Sequence, residues 1–235
     1  MHNYTKPTLL AWFFFLGGII TTVSLGIWQV QRLEEKTALI ARIERGAGIH
    51  MKEVPSNDAA LAALEFHRVR LQGAWVEDTE FHVAARYFKG ENGYHIFAPL
   101  ALADGRTALV NRGWVPTKQK EIAMRPESVV RGKADVVAMV RIGADRNFFT
   151  PISQPEKNMW FGRDVAQMQK AAGLKNVIPA TFDVVGAQDA KTLPVAFAGE
   201  IKLRNDHLSY IITWFGIALG MVVICVLSHR RKGAV

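Results

Sequence analysis

The chain has 235 residues, of which 49% are hydrophobic, and its formal net charge is +8 at pH 7. This basic balance does not indicate a nucleic-acid-binding protein, because no dense run of Lys and Arg with interleaved aromatic residues occurs. The single cysteine, Cys225, lies in an apolar stretch, which excludes a disulfide framework, a thiolate metal site and a Cys-x-x-Cys-His haem attachment.

Two long apolar segments near the ends of the chain predict membrane-spanning helices. Residues 8–30 and 208–227 contain no Lys, Arg, Asp, Glu or His, and about 20 apolar residues are enough for a helix to cross a bilayer. The first segment is longer than the apolar region of a signal peptide, so we expect an uncleaved anchor. The predicted order is a cytoplasmic tail at 1–7, a transmembrane helix at 8–30, a central domain at 31–206, a transmembrane helix at 207–227 and a basic cytoplasmic tail at 228–235.

The distribution of charge predicts the orientation of these segments. All 21 Asp and Glu residues lie between Gln31 and Asp206, whereas the ends carry only Lys6 and the run Arg230-Arg231-Lys232. Short basic tails stay in the cytoplasm, while long domains are translocated largely regardless of charge. We therefore expect both termini on the cytoplasmic side and the central domain, with the junction residue His207, on the periplasmic side.

Periodicity in the central domain predicts an α+β fold. The first helix should continue to about Gly46, and a short helix should follow at 59–64. Alternating apolar residues predict strands at 69–75, 81–87, 93–100, 107–114, 129–142 and 176–185, with a hairpin turn at Asp104-Gly105 and a helix at 164–172 closed by Gly173. Because few βαβ repeats are visible, we expect a mainly antiparallel sheet or an open barrel.

Small residues spaced four apart in both apolar segments predict how the two spans pack. They are Gly18, Thr22 and Gly26 in the first segment and Gly216 and Gly220 in the second. Such residues let helix backbones approach closely in lipid. One interpretation is that the spans meet through these residues and leave the opposite face of the second span free. The other is that the small residues occur by chance on helices that face lipid.

His207 is the side chain of greatest interest, because an ionisable group at the mouth of a membrane helix is costly without a partner. Imidazole is the commonest metal ligand, so His207 either holds a metal or marks the edge of the bilayer. At about 100° per residue, Ile211, Trp214 and Ala218 share its face and would offer apolar surface to a planar macrocycle. Arg204, one turn earlier, could meet an anionic propionate or serve as an interface anchor.

The rest of the sequence contains no recognisable catalytic motif. G-x-S-x-G, H-E-x-x-H and P-loop patterns do not occur. His82 and His95 fall on predicted strands and His67 just before one, without the spacing of a metal site, which is typical of surface or half-buried histidines. Glu77, Asp78 and Glu80 are interpreted as a solvated turn. We therefore expect a protein that is not an enzyme.

Several longer motifs occur together along nearly the whole chain. They are Leu25-Gly26-Ile27-Trp28-Gln29, Gly73-Ala74-Trp75, Asn111-Arg112-Gly113-Trp114-Val115-Pro116, Arg204-Asn205-Asp206-His207-Leu208-Ser209-Tyr210 and Thr213-Trp214-Phe215. In these motifs the chain resembles the Surfeit locus protein 1 family of cytochrome c oxidase assembly factors. The amino terminus has no Arg- and Ser-rich transit peptide, which favours a bacterial member.

The resemblance implies a multi-pass protein of the bacterial inner (cell) membrane that acts as a chaperone in respiratory chain biogenesis. It would bind haem a as transient cargo, with His207 as the ligand of the haem iron, and help to deliver it to the catalytic subunit of the oxidase. Membrane lipid and the machinery of haem a synthesis are further expected partners, and nucleic acid is not. Arg112, Trp114, Tyr210 and Trp214 are candidates for partner-binding or structural roles.

Two questions stay open at this point. A second axial ligand of the iron could be His95, the His207 of another copy, or a residue of the partner subunit. Alternatively, the protein is a cofactor-free membrane scaffold that holds an oxidase subunit during assembly, with His207 as a hydrogen-bonding cap at the start of the helix.

Overall fold

The computed structural model describes residues 9–47, 53–186, 192–201 and 203–229. The tail predicted at 1–7, and residues 230–235 of the tail predicted at 228–235, lie outside the described residues. The chain forms two compact units. One combines its two ends, up to Ala41 and from 203 onward, and the other contains residues 42–201.

The helices are α1 (Leu9–Ala47), α2 (Asp58–Ala63), α3 (Val165–Ala172) and α4 (His207–His229). The strands are β1 (Arg68–Trp75), β2 (Phe81–Phe88), β3 (Glu91–Leu102), β4 (Thr107–Pro116), β5 (Lys133–Arg141), β6 (Met159–Trp160) and β7 (Val177–Val184). The predicted continuation of the first helix to about Gly46 is confirmed, as is the predicted helix closed by Gly173, which adopts a φ of +62°.

In the first unit, α1 and α4 are both long and apolar enough to cross a membrane. The small residues of α1 do face α4, because a Cβ atom added at Gly18 would collide with Met221 and one at Gly26 with Phe215. The expected role of Gly216 and Gly220 is wrong, since such an atom would have no neighbour within 4 Å at either position. The two glycines lie on the far side of α4, and longer side chains fill the gaps beside α1 instead.

The face of α4 that carries His207 is therefore turned toward α1 and is not free as expected. Thr22 of α1 and Ala218 of α4 are buried, and Ile211 and Trp214 are partly buried. Periodicity identified the residues that share a helix face, but which face a neighbour covers depends on contacts between residues far apart in the chain.

The second unit is a β-barrel, and its mainly antiparallel pairing confirms that part of the prediction. Five strands follow one another in the order β1-β5-β7-β4-β3, and β3 pairs again with β1, so the barrel is closed. The expectation of an open barrel is wrong. Only β4–β7 and the short β2–β6 pairing are parallel among the described strands. The amino-terminal half of β3 carries β2 as an extension outside the ring.

Closure of the barrel depends on Gly73. This residue pairs with Ala134 of β5 and with Leu102 of β3, so β1 passes from one neighbour to the other at that point. A Cβ atom at Gly73 would collide with the backbone oxygen of Ala101. Only glycine allows the two backbones to approach this closely, which gives the Gly-Ala-Trp motif a structural role.

Two clusters of buried apolar side chains lie on either side of the barrel wall. The larger fills the interior of the barrel and includes Leu71, Leu100, Val110, Val140 and Phe182. The smaller lies under α3 and includes Phe81, Phe97, Leu109, Trp160 and Met168.

Candidate functional site

His207 is the first residue of α4, where the backbone oxygen of Asp206 accepts the N–H of Ser209 at 3.1 Å. Its Nδ1 lies 2.6 Å from Oε1 of Gln29, in the last apolar turn of the span within α1. Gln29 is buried, with 7% of its surface exposed. The histidine is therefore not an isolated side chain at the helix mouth, since it is held by a buried partner from the other span.

This hydrogen bond determines which nitrogen of His207 is available. An amide oxygen only accepts hydrogen bonds, so Nδ1 carries the proton and Nε2 carries the free lone pair. Ligating histidines in proteins almost always donate their other ring nitrogen to a fixed acceptor, which sets the tautomer and the ring orientation. The pair of His207 and Gln29 has this arrangement and is chemically suited to axial ligation of an iron through Nε2.

Gln29 was not singled out from the sequence, although it belongs to a quoted motif. The signal was present, because Gln29 is a lone amide near the outer end of an otherwise apolar segment and lies level with His207 when the two spans are counted inward from that end. Its partner could not be assigned until the rotation of the two helices was known.

Further side chains of the same unit surround this end of the helices. Trp28 is largely exposed, and the guanidinium of Arg32 lies 5.7 Å from its ring centre. Tyr210 is exposed. Arg204 is highly exposed and forms an ion pair with Asp206. This end of the helix pair therefore carries aromatic surface and exposed cations as well as His207.

Arg112 and Trp114, two of the predicted candidates, lie on β4 at a β-bulge. Asn111 pairs with Phe97 and Gly113 pairs with Ile96, so Arg112 is an extra residue without a partner on β3. Gly113 has a φ of +135°, which L-residues rarely adopt, and a Cβ atom there would also collide with Val195. Glycine is therefore required at this position, and the bulge directs Arg112 away from its neighbours on β4.

Arg112 lies in a cavity of about 360 Å³. Burial lowers the pKa of Arg112 to about 10, against the opposing effect of Glu80, so the guanidinium stays charged at neutral pH. Among the described residues its side chain makes no hydrogen bond or ion pair, and its guanidinium lies 5.9 Å from the ring centre of Trp75. The structure thus leaves the cation of Arg112 available to a partner.

Glu80 does not neutralise Arg112 because it serves two other side chains. It accepts from Nε2 of His82 at 2.6 Å and forms an ion pair with the fully buried Arg125. The interpretation of Glu80 as part of a solvated turn is wrong, since it lies in a largely buried ion network. This network could not be predicted from local sequence, because Arg125 and Glu80 are 45 residues apart.

Trp114 is buried and is held on three sides. Its Nε1 donates to the backbone oxygen of Arg86 at 3.2 Å, its ring lies 5.3 Å from that of Phe88, and its backbone pairs with Val195. These contacts give Trp114 a structural role in the barrel wall.

A buried polar cluster lies beside Trp114, and sequence reasoning missed it. Asp183 accepts from Nδ2 of Asn111 and from Nη1 of Arg163, each at 2.7 Å. Burial alone would raise the pKa of Asp183, but the charge of Arg163 and these hydrogen bonds lower it overall. Asn111 also lies 3.4 Å from Nδ1 of His95. The only sequence signal was a polar residue, Asn111, directly after the apolar residues 108–110 of β4.

His95, which was considered as a second haem ligand, belongs to this cluster in the barrel unit. Burial, together with the positive charge of Arg163, lowers the pKa of His95 to about 3. The imidazole is neutral at physiological pH. Among the described residues, no group of three or more His, Cys, Asp and Glu could hold a metal ion.

The neutral state of His95 makes stability depend on pH. The unfolded imidazole takes up a proton below about pH 6.5, whereas the folded one stays neutral down to about pH 3, so acid favours unfolding in this window. Between pH 6.5 and 5 we expect a loss of about 1–2 kcal/mol. Thermal unfolding of wild type and His95→Gln at pH 7 and pH 5 checks this. The fall in Tm should be smaller for His95→Gln, and equal falls would contradict it.

The chain is similar to known proteins over most of its length. The model of the SURF1 family matches residues 16–219, which include Gln29, the β4 motif and His207. A SURF1-like protein of Monosiga brevicollis is 33% identical over 226 residues, which cover 91% of this chain and 85% of that protein. Surfeit locus protein 1 of Mus musculus is 32% identical, covering 89% of this chain and 72% of its own length. The protein of that name from Homo sapiens is 30% identical, with coverages of 85% and 71%.

Proposed function

The chain belongs to the SURF1 family of cytochrome c oxidase assembly factors, and we propose that it binds haem a through His207 and helps to deliver it to the catalytic subunit of the oxidase. The observation that carries this proposal is the hydrogen bond from His207 to Gln29 at 2.6 Å. It leaves the lone pair of Nε2 available while fixing the ring. Haem a is cargo in this proposal, and the chain itself catalyses no reaction.

The neighbouring side chains support the same proposal. The aromatic rings of Trp28 and Tyr210 are exposed and offer apolar surface to a macrocycle. The side chains of Arg32 and Arg204 are exposed, and they form ion pairs with Glu35 and Asp206 respectively. Exposed pairs of this kind contribute little stability, so either arginine can exchange its partner for a haem propionate at low cost.

Release of the cargo follows from the small number of ligands. A single imidazole, without a second protein ligand among the described residues of the unit that contains His207, holds iron less firmly than a bis-histidine site does. The expected setting is the bacterial inner membrane, with both termini in the cytoplasm and the barrel in the periplasm, as the distribution of charge favours. In that setting the machinery of haem a synthesis could transfer haem a to His207 from the membrane.

Gln29 should tune haem affinity without being a ligand. Gln29→Leu removes the acceptor for Nδ1, so the imidazole loses its fixed tautomer and orientation, and we expect haem a affinity to fall about 10–100-fold. Gln29→Glu keeps an acceptor and should retain most of the binding. Titration of purified apoprotein with haem a, followed by the Soret band, measures both variants. Equal affinity of Gln29→Leu and wild type would show that the hydrogen bond has no part in binding.

The scaffold function is favoured by a different observation, an exposed apolar loop after β5. Phe148, Phe149 and Ile152 are 96%, 87% and 82% exposed. The loop is nevertheless ordered by its own polar groups, since Asn147 accepts from the N–H of Phe149 and donates its N–H to Oγ1 of Thr150. A preformed apolar tip of this kind is typical of a protein contact, and the oxidase catalytic subunit is the partner that family membership indicates.

Replacing all three residues of this tip by serine should weaken the partner contact and leave the fold intact. We expect co-purification of the oxidase catalytic subunit to fall about tenfold or more, because exposed aromatic anchors dominate interface energies. Tm should not change, since the three side chains are almost fully exposed. Met124→Ser, at another exposed apolar position, is the control. An unchanged yield of the subunit would remove the loop from the interface.

The two functions are separated by an absorption spectrum of the detergent-purified protein, produced in a host that synthesises haem a. Retained haem a, with oxidase assembly depending on the protein, supports the carrier. Colourless protein, with oxidase assembly still dependent on it, supports the scaffold and contradicts the haem proposal.

A further inference from the structure

A second cavity, of about 160 Å³, lies in the barrel unit next to the bulge of β4. Its polar side includes Arg141, Arg163 and Asp183, and its apolar side includes Trp114, Ala196 and Phe197. The cavity is distinct from the cavity of Arg112 and contains no part of the His207 site. Its walls combine two guanidiniums with aromatic surface.

Most side-chain N–H groups of Arg141 and Arg163 donate no hydrogen bond to the described residues. A guanidinium carries five N–H donors. Arg163 has only 8% of its side chain exposed, and its Nη1 donates to Asp183, but its Nε is buried without a hydrogen-bond partner. The side chain of Arg141 makes no hydrogen bond to the described residues. Its Nη1 lies 3.7 Å from Asp183, which is an ion pair but too long for a hydrogen bond, and its Nε is buried and unpartnered.

The charges around the cavity do not balance. Arg86 joins Arg141 and Arg163 nearby. Burial lowers the pKa of Arg86 and Arg141, but a guanidinium stays protonated in proteins. The opposing carboxylates are Asp183, which is buried, and Asp145, which is half-exposed and pairs with Arg86 at 3.2 Å and with Arg163 at 3.8 Å. Glu65 also acts on Arg141, but it is already paired with Arg42 at 2.7 Å. His95 is neutral at this pH and adds no charge. Three cations thus face two anions, and the excess positive charge favours an anion in the cavity.

The geometry of the guanidiniums, the volume of the cavity and its apolar wall together indicate which kind of anion fits. The planar fork of a guanidinium matches a carboxylate in a bidentate arrangement. A volume of about 160 Å³ corresponds to about five waters at the volume each takes in the liquid, so a molecule of a few heavy atoms fits. A phosphate ion would leave the surface of Trp114 and Phe197 unused. We propose that this cavity binds a carboxylate carried on a short apolar stem, with Arg141 and Arg163 as the residues that receive the carboxylate.

Binding of a carboxylate in this cavity does not depend on haem binding at His207, so an experiment can contradict either proposal without the other. Butyrate is a suitable probe because it combines a carboxylate with a three-carbon stem, and butyramide is its neutral counterpart of the same shape. Saturation-transfer NMR on the full-length protein in a non-ionic detergent measures the binding of each. We expect butyrate to bind and butyramide not to bind, in wild type and in His207→Ala alike.

Two variants test the site in different ways. Arg141→Gln removes one charge and should weaken butyrate binding at least tenfold, because hydrogen bonds to a charged acceptor are among the strongest in proteins. Ala196→Leu changes no charge but fills the cavity and should abolish binding. Arg70→Gln, which alters an exposed arginine paired with Asp135 on the outside of the barrel, is the control and should bind as wild type does. Circular dichroism confirms that each variant is folded.

Three outcomes would overturn the proposal. Butyrate and butyramide could bind equally, which would show that the arginines play no part. Inorganic phosphate could displace butyrate and bind more tightly, which would contradict the role of the apolar wall. Finally, butyrate could bind unchanged to folded Ala196→Leu, which would place the carboxylate elsewhere.

Discussion

Replacing His207 by alanine is expected to remove bound haem a from the purified protein. The substitution deletes the only imidazole of the helix-pair unit that is oriented by a buried partner among the described residues, and with it the lone pair of Nε2. The fold should persist, because His207 lies at the start of α4 and the apolar contacts of Ala218 and Met221 with α1 remain. The measurement is the ratio of Soret absorbance to protein after purification from a host that makes haem a.

A matched control for this variant lies on the same helix. His229 is the last residue of α4 and has the same side chain as His207. We expect His229→Ala to retain haem a at the wild-type ratio. If both variants lose haem equally, the loss reflects a general disturbance of the membrane segment, and His207 has no special role.

Asp183→Ala should be the most destabilising single substitution considered for the barrel. Asp183 is buried and is the hydrogen-bonded counter-charge of Arg163, which is also buried. Removing one partner of a buried ion pair leaves an uncompensated charge and costs about 3–5 kcal/mol. Asn111 loses its acceptor in the same step. Thermal unfolding of the detergent-purified protein should show a large fall in Tm.

Asp135→Ala is the control for this substitution. Asp135 pairs with Arg70 on the outside of the barrel, with both side chains about half exposed. Exposed pairs contribute little stability, so we expect no large change in Tm. If Asp183→Ala were as stable as Asp135→Ala, the buried cluster would have no role in holding the barrel together.

Local patterns were sufficient to predict most elements of the fold. Alternation identified six of the strands, and the cap residues of α3, Asp164 and Gly173, lie where the predicted helix begins and ends. Asp104 and Gly105 form the expected turn between β3 and β4, where the N–H of Leu102 donates to the backbone oxygen of Arg106. Each of these features depends on residues close together in the chain.

Features that depend on distant residues could not be predicted in the same way. The closure of the barrel follows from the second pairing of Gly73, with Leu102 of β3. A periodic pattern shows that a strand is half-buried but does not show how many neighbours it has. The two-residue strand β6 was too short to give a pattern at all.

The candidate site shows the same limit. His207 stood out because an ionisable group is costly at the mouth of a membrane helix. Its partner Gln29 is 178 residues away in sequence, and an amide near the end of a span is not unusual in itself. Similarly, Asn111 and Asp183 are 72 residues apart, so only the barrel brings them together.

Imidazole rescue of His207→Gly tests most directly whether this side chain is the ligand of the haem iron. The variant removes the imidazole ring and leaves room for a free one, while Gln29 remains to accept a hydrogen bond from it. Haem a should be lost from His207→Gly in plain buffer and retained, with an absorption spectrum close to that of wild type, when imidazole is present throughout purification. Full retention of haem a by His207→Gly without imidazole would contradict ligation by His207.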